Sequence, residues 1–367
     1  MGMGTGMRVP FLDLRRQHVE VRPQIDAAIS RVVSSGNFVL GREVALFENE
    51  WARFCRVAGA VGVNSGTDGL TLALIAAAQQ RKSRQEVITS PVSAGYSALA
   101  IKNAGLIPVF ADLDPVTYTL SPDAVESAIN RRTLAIMPVH LYGQITDMKA
   151  LCEIAARHRL IMIEDAAHAH GVAPVICKGK THVHAAAFSF YPTKNLGAAG
   201  DGGAVVSNDR RLLDRVRILR EGGHTTAIGM NVAGQNSRLD EMQAAILRTK
   251  LKRLRAWNTR RRQLASQYRK ALAGVPDLVL PADSAAHAYH LFVIQHPERD
   301  ALRKHLQRRG IETLIHYPFV LHKQKLFEHR TRLPVAEHLV KRILSLPLYP
   351  QLLPSEIDAV AEAINGF

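Results

Sequence analysis

The chain has 367 residues, 47% of them hydrophobic and 22% charged, and a formal net charge of +15. That length and apolar content support one large domain with a substantial core plus a smaller second unit, and the ordinary charge content excludes wholesale disorder. No apolar run is long enough to span a bilayer. The Gly/Met-rich start, Met1 to Met7, has no apolar signal core and reads as a short leader on a cytoplasmic protein. Cys55, Cys152 and Cys177 are odd in number and lack CxxC spacing, so they are expected to be reduced and structural.

Short apolar runs alternate with helical patterns through the first two-thirds of the chain. Ala60–Asn64, Glu86–Thr89, Ile107–Ala111, Thr133–Val139, Leu160–Glu164, Ala185–Phe190 and Ala204–Ser207 read as strands. Thr67–Gln80, Ser121–Asn130 and Asp147–Arg157 read as intervening helices. This alternation predicts an α/β fold with a mostly parallel, helix-covered sheet, whose site lies at the carboxyl ends of the strands. After Asp240 the pattern changes to a long helix, from Leu239 to about Leu272, and then a Gly/Pro/Asp-rich break at Gly274–Asp283. A smaller α/β unit follows, opening with a strand at His290–Gln295 and a helix at Arg299–Arg309. The expected division is a large domain over 1–250 and a small C-terminal domain over 251–367.

Much of the positive charge falls in Arg248–Arg262. Leu247, Leu251, Leu254 and Trp257 recur there at helical spacing, which predicts an amphipathic helix with a solvated basic face. A basic surface also suits an anionic small substrate or nucleic acid, but no zinc-finger spacing or RNP-type aromatic pattern accompanies it, so no nucleic-acid partner is expected.

Three segments carry chemistry. In VGVNSGTDGL, from Val61 to Leu70, a strand ends in Asn64-Ser65-Gly66 and a helix starts at Thr67. Free N–H groups at such a helix start bind phosphate, although a capped helix with nothing bound explains the same residues. In LIMIEDAAH, from Leu160 to His168, a strand delivers Asp165 at its carboxyl end. A buried carboxylate stays ionised beside a positive partner such as a protonated pyridine nitrogen; a helix N-cap is the competing reading. In FSFYPTKNLGAAGDGGAVV, from Phe188 to Val206, a tight loop between two apolar strands carries Lys194. Partial desolvation lowers the pKa of such an amine, and the neutral form condenses with an aldehyde.

Together with GQNSRLDEMQAAIL at Gly234–Leu247, these segments resemble the DegT/DnrJ/EryC1/StrS family of sugar aminotransferases, and the resemblance runs from Val9 to Pro350. It implies a fold-type-I, pyridoxal 5'-phosphate-dependent transferase. Lys194 then matches the Schiff-base lysine and Asp165 the partner of the pyridine nitrogen. His168 falls near the cofactor's ring hydroxyl, Tyr96 at the stacking aromatic, and Gly66, Thr67 and Ser189 at the phosphate. Asn236 matches an asparagine that reaches the cofactor phosphate of a neighbouring subunit, which implies a homodimer with shared sites.

The implied reaction takes an amino group from L-glutamate to a nucleotide-linked keto-sugar. Relatives that remove a ring hydroxyl carry histidine where this chain has Lys194. KNLGxxGDGG looks like members acting on 3-keto-6-deoxyhexoses, here a dTDP-sugar, more than those acting at the 4-position. Arg238 is a candidate for the donor carboxylate or a sugar diphosphate, against a structural ion pair. His316, Tyr317 and His322 match a loop near the substrate, against packed or surface residues. His168/His170 and His182/His184 have HxH spacing, but no nearby acid or cysteine set completes a metal site. Departures from the family pattern at 174–184 and 222–235 bear on the sugar. The alternatives are a 4-aminotransferase, a dehydratase, or a non-catalytic regulator that senses a ligand.

Overall fold

The computed structural model describes residues 8–78, 83–172, 184–225, 229–230, 232–327 and 331–367. The expected leader at Met1–Met7 and most of the divergent stretch 174–184 lie outside these residues, as do Cys177 and His182.

The chain opens with helices α1 (Leu14–Ser35) and α2 (Arg42–Cys55). It continues β1 (Gly59–Val63), α3 (Gly66–Ala78), β2 (Glu86–Thr89), α4 (Tyr96–Asn103), β3 (Ile107–Phe110), α5 (Pro122–Ala128), β4 (Thr133–Met137) and α6 (Met148–His158). Then come β5 (Ile161–Asp165), β6 (His184–Ser189), β7 (Gly203–Ser207), α7 (Arg210–Arg220), β8 (His224–Thr225) and β9 (Gly229–Met230). The long α8 (Glu241–Ala271) leads into β10 (Phe292–Gln295), α9 (Arg299–Arg308), α10 (Pro334–Arg342), β11 (Ile343–Leu346) and α11 (Pro354–Asn365).

All seven expected strands form one sheet in the order β1-β7-β6-β5-β4-β2-β3. Pairing is parallel from β6 through β3, whereas β7 runs antiparallel to both β6 and β1. Strands β2, β4 and β5 are buried along their whole length, as expected of a sheet covered on both faces. One face packs on α3, itself apolar nearly all round, and on α7 through Leu70, Leu74, Leu212 and Val216. The other packs on α2, α6 and α8 through Phe47, Trp51, Leu151 and Leu254.

Helices α1 and α2 carried no sequence expectation. A buried carboxylate, Glu241 at the start of α8, anchors α2. It accepts the N–H groups of Gly41, Glu43 and Val44 at 3.0, 2.8 and 2.7 Å, taking the place of the side-chain cap that Gly41 lacks.

The basic face of α8 is less solvated than its amphipathic pattern implies. Arg248 pairs with Glu50 at 2.7 Å and with Glu43. Arg261 is buried and donates to three backbone carbonyls, those of Tyr289, His290 and Leu348. Lys250 is buried and donates to the Gly197 carbonyl at 2.8 Å.

Residues 250 and 251 both lie inside α8. The C-terminal half of that helix packs Leu264 and Tyr268 into a second core with the antiparallel pair β10–β11 and with α11. The N-terminal segment joins the same unit: Val9 bridges Ile311, and Arg16 forks onto Glu356 at 2.8 and 2.9 Å. Cys55 is free and buried, whereas Cys152 is disulfide-bonded, against the expectation of reduced thiols.

Candidate active site

The carboxyl ends of β1, β5 and β6 lie at the same edge of the sheet. Strand β6 ends at Ser189, and the next residues form a tight loop before β7. Phe190 N–H donates to Gly202 O, Ala198 N–H to Phe190 O, and Lys194 N–H to Tyr191 O, at 2.7, 2.7 and 2.9 Å. This loop leaves Lys194 half-buried. Burial pulls its amine down to about 8, and the charge of Asp165 opposes that fall.

Asp165 closes β5 and is buried. Its Oδ2 accepts the Ser97 hydroxyl at 2.6 Å and its Oδ1 accepts the Ala167 N–H at 3.1 Å. Ser97 follows Tyr96 in the first turn of α4, and Tyr96 is 59% exposed. Tyr317 faces the same acid. Burial, with Asp165 and Tyr96 adding to it, holds its hydroxyl well above the usual phenol range.

Gly66 opens α3 and stands against Ser189. A Cβ on it would sit 2.7 Å from the Ser189 Cβ and 3.0 Å from its Cα, so only glycine fits there. Ser65 Oγ accepts the Asp68 N–H at 3.1 Å, and its carbonyl accepts that of Gly69 at 3.0 Å. The amides of Gly66 and Thr67 have no partner among the described residues. They point out of a helix N-terminus beside the Ser189 hydroxyl, an arrangement that suits a phosphate. Ser237 donates to Asp68 at 2.7 Å and accepts the Asn64 N–H at 3.1 Å, which fastens the Asn236–Arg238 segment to this turn. Asn236 is exposed. Arg238 is half-buried and forms no ion pair among the described residues, so the structural reading for it finds no support.

Four histidines surround Lys194. His168, His170 and His290 are buried and His316 is half-buried. Burial, reinforced by the Lys194 charge, holds His168 and His290 well below the ordinary imidazole range, His170 at about 3 and His316 at about 4. All four are therefore neutral at physiological pH. His168 Nδ1 accepts the Tyr142 N–H at 3.2 Å. His316 Nδ1 pairs with Ser345 Oγ at 2.9 Å, and its carbonyl accepts the Tyr142 hydroxyl.

His322 is placed elsewhere. It is 0% exposed and its Nε2 lies 3.2 Å from the half-buried Glu337 on α10, a pairing between the segment Leu321–Lys323 and that helix that favours the packed reading over a substrate contact.

Several residues of the site went unread in the sequence. Ser97 and His290 sit on elements remote in sequence from the acid and the lysine they serve. Glu164, next to Asp165, points to the opposite face of the sheet and is 0% exposed. His140 Nε2 donates to its Oε2 at 2.7 Å and His184 Nε2 to its Oε1. This pair of donors outweighs desolvation and holds the Glu164 carboxyl at about 2.

An amine near neutrality facing a buried acid, beside a helix N-terminus at the carboxyl edge of a parallel sheet, defines a fold-type-I transferase. The chain belongs to the DegT/DnrJ/EryC1/StrS aminotransferase family, whose profile matches residues 20–365. It is 45% identical over 364 residues to the dTDP-3-amino-3,4,6-trideoxy-alpha-D-glucose transaminase of Streptomyces venezuelae, covering 98% of this chain and 96% of that protein. It is 42% identical over 368 residues to the UDP-N-acetyl-3-dehydro-alpha-D-glucosamine 3-aminotransferase of Acidithiobacillus ferrooxidans, covering 99% of each. The crystal structure of S. venezuelae DesV in complex with a ketimine intermediate is similar, with a TM-score of 0.92, 44% identity and 98% of both chains covered.

Proposed function

We propose that this protein is a pyridoxal 5'-phosphate-dependent aminotransferase that moves the amino group of L-glutamate onto a nucleotide-linked 3-keto-sugar, with a dTDP-3-keto-6-deoxyhexose as the first candidate. The observation that carries the reading is Lys194, an amine lowered to about 8 opposite the buried Asp165. The 3-amino products and the 3-dehydro substrate in the relatives' names support the position.

The residues fit the cofactor. The Gly66 and Thr67 amides and the Ser189 hydroxyl would receive the phosphate. Asp165, fixed by Ser97, would hold the proton of the pyridine nitrogen, the exposed Tyr96 ring would cover one ring face, and the neutral His168 would face the ring hydroxyl. Bound there, the cofactor supplies an aldehyde that condenses with amines and a ring that accepts the electrons of a broken C–H bond. Lys194 does the proton work of the chain itself. Its neutral amine takes the proton from the substrate carbon and returns it on the other side of the reaction, as a base with a pKa near the working pH does well. Arg238, His316 and Tyr317 would contact the substrate. Asn236, exposed beside the phosphate turn, would serve the neighbouring subunit of a homodimer.

Protein loaded with pyridoxal phosphate, reduced with borohydride and digested, is expected to carry a phosphopyridoxyl mass on the Lys194 peptide. Lys194→Ala is expected to carry none. Glutamate with a panel of nucleotide ketosugars is expected to release 2-oxoglutarate only when a ketosugar is present. A wild-type protein without the adduct sinks the cofactor assignment; an adduct without ketosugar-dependent 2-oxoglutarate points to another reaction on the same scaffold.

A further inference from the structure

His290 belongs to the small C-terminal unit, two residues before β10, yet it reaches into the Lys194 pocket. Its ring stacks on His168 with centroids 4.4 Å apart and planes 32° from parallel. Its Nδ1 lies 3.2 Å from Asn195 Oδ1, and Asn195 is the residue after Lys194.

The surrounding hydrogen bonds assign both imidazoles. Asn258 on α8 donates its Nδ2 to the His170 carbonyl at 2.7 Å, which leaves its Oδ1 as an acceptor. Asn195 donates its Nδ2 to that Oδ1 and to the Ala288 carbonyl, both at 3.0 Å. Asn195 Oδ1 is therefore the acceptor toward His290, and the His290 hydrogen sits on Nδ1. His168 is the reverse. Its Nδ1 accepts the Tyr142 N–H, so its hydrogen sits on Nε2.

The turn that aims this amide is tight. Tyr142 has a φ of 59°, and a Cβ on Gly143, whose φ is 99°, would come within 3.0 Å of both the His168 carbonyl and the His290 nitrogen. Arg261 fixes the other side by donating to the Tyr289 and His290 carbonyls at 3.2 and 3.3 Å.

We propose that His290 is a positioning residue of this site, its ring face seating His168 and its Nδ1–H holding Asn195 beside Lys194. One side chain of the small unit thus fixes both an amine and an N–H donor of the large sheet, each in the place the amino transfer needs. Reading Lys194 as the reacting amine is a premise of this role; the tautomers themselves do not depend on it. Of the two tilted rings, His168 carries its hydrogen on Nε2 and His290 keeps a lone pair there. Lys194, His170, His316 and His290 face His168 from their several elements, and Asp165 begins the turn that carries it. The His290 ring keeps water from His168.

Histidine-selective 15N labelling and solid-state NMR of the full-length protein, with and without pyridoxal phosphate, reads each tautomer. The expected spectrum from pH 5.5 to 8 has His168 as Nε2–H and His290 as Nδ1–H, with neither protonated. His290 found as the Nε2–H form in the wild type overturns the proposal without any variant.

Two substitutions separate the two contacts. His290→Asn keeps an N–H for Asn195 and gives up the ring, so water reaches His168, which then gains an imidazolium signal below pH 6.5. His290→Phe keeps the ring and gives up the donor, so His168 stays neutral while kcat falls about 10- to 100-fold, the scale of a displaced reacting group. Folded variants that leave the His168 spectrum unchanged and kcat within twofold overturn it as well. Should the wild type bind no cofactor and transfer no amino group, the functional reading fails while the tautomers still stand or fall on the spectrum.

Discussion

The substitution Glu164→Gln removes the charge from a carboxylate enclosed between two imidazole N–H donors. His140 Nδ1 accepts the Thr146 N–H at 3.3 Å, so its Nε2 carries the hydrogen given to Glu164. The introduced amide then presents its own N–H₂ to one of the two donors, and the His140 ring cannot change tautomer without losing the Thr146 N–H. The carboxyl lies at about 2 instead of the ordinary 4.5, and such a shift corresponds to about 3 kcal/mol of folding stability at pH 7. With 367 residues at about 2.1 cal/mol/K each, the unfolding entropy is about 0.8 kcal/mol/K, so the variant is expected to melt about 4 °C lower at pH 7.

The sign of the pH dependence follows from the same shift. A carboxyl depressed by folding contributes in full above its unfolded value and loses that contribution as pH falls through its folded one. By pH 3 the charge-dependent gap shrinks to less than half, about 1 kcal/mol. Urea unfolding of both proteins from pH 7 to pH 3, alongside calorimetric Tm values, measures it. A melting difference under 1 °C at pH 7, or a gap that stays constant to pH 3, would refute the assignment of Glu164 as a charged acceptor. Because its side chain faces away from Asp165, turnover at 20 °C is expected to change less than threefold, far below the cost of losing a group in the reaction.

Three further outcomes are expected. Lys194 in cofactor-free protein should be half-labelled by an amine reagent near pH 8, because burial removes its proton early, and a midpoint at the usual lysine value would contradict the pocket. Gly66→Ala places a Cβ 2.7 Å from that of Ser189, so pyridoxal phosphate should bind at least about tenfold more weakly by fluorescence titration, in proportion to one lost charge-assisted hydrogen bond. If Asn236 serves the neighbouring subunit, co-expressed Lys194→Ala and Asn236→Ala chains should regain about a quarter of wild-type activity through mixed dimers, although neither is active alone; no recovery would place Asn236 in its own subunit's site.

Much of the site was legible because it is built from local chemistry. A strand that ends in Asn64-Ser65-Gly66 and turns straight into a helix leaves free amides whatever the rest of the chain does. A run of apolar residues that stops at Asp165 delivers an acid to a strand end, and a loop between Phe188 and Val206 carries Lys194 with it. The seven strands were legible from alternation for the same reason, with ends that shifted by a residue or two. The sequence alone also placed the chain in its family, since four such motifs occur in order.

What only the tertiary structure decided is which distant residues meet these local pieces. Ser97 reaches Asp165 across 68 residues, His290 reaches Asn195 across 95, and His140, just past β4, and His184 on β6 close on Glu164 from either side. His322 shows the converse: its motif suggested a substrate contact, and packing against α10 gave it Glu337 instead. Lys194 is a half-buried amine near neutrality only because the strand ends and the segments carrying His290 and His316 converge on it. Desolvation depends on what surrounds a group in space, and residue order along the chain does not contain that information.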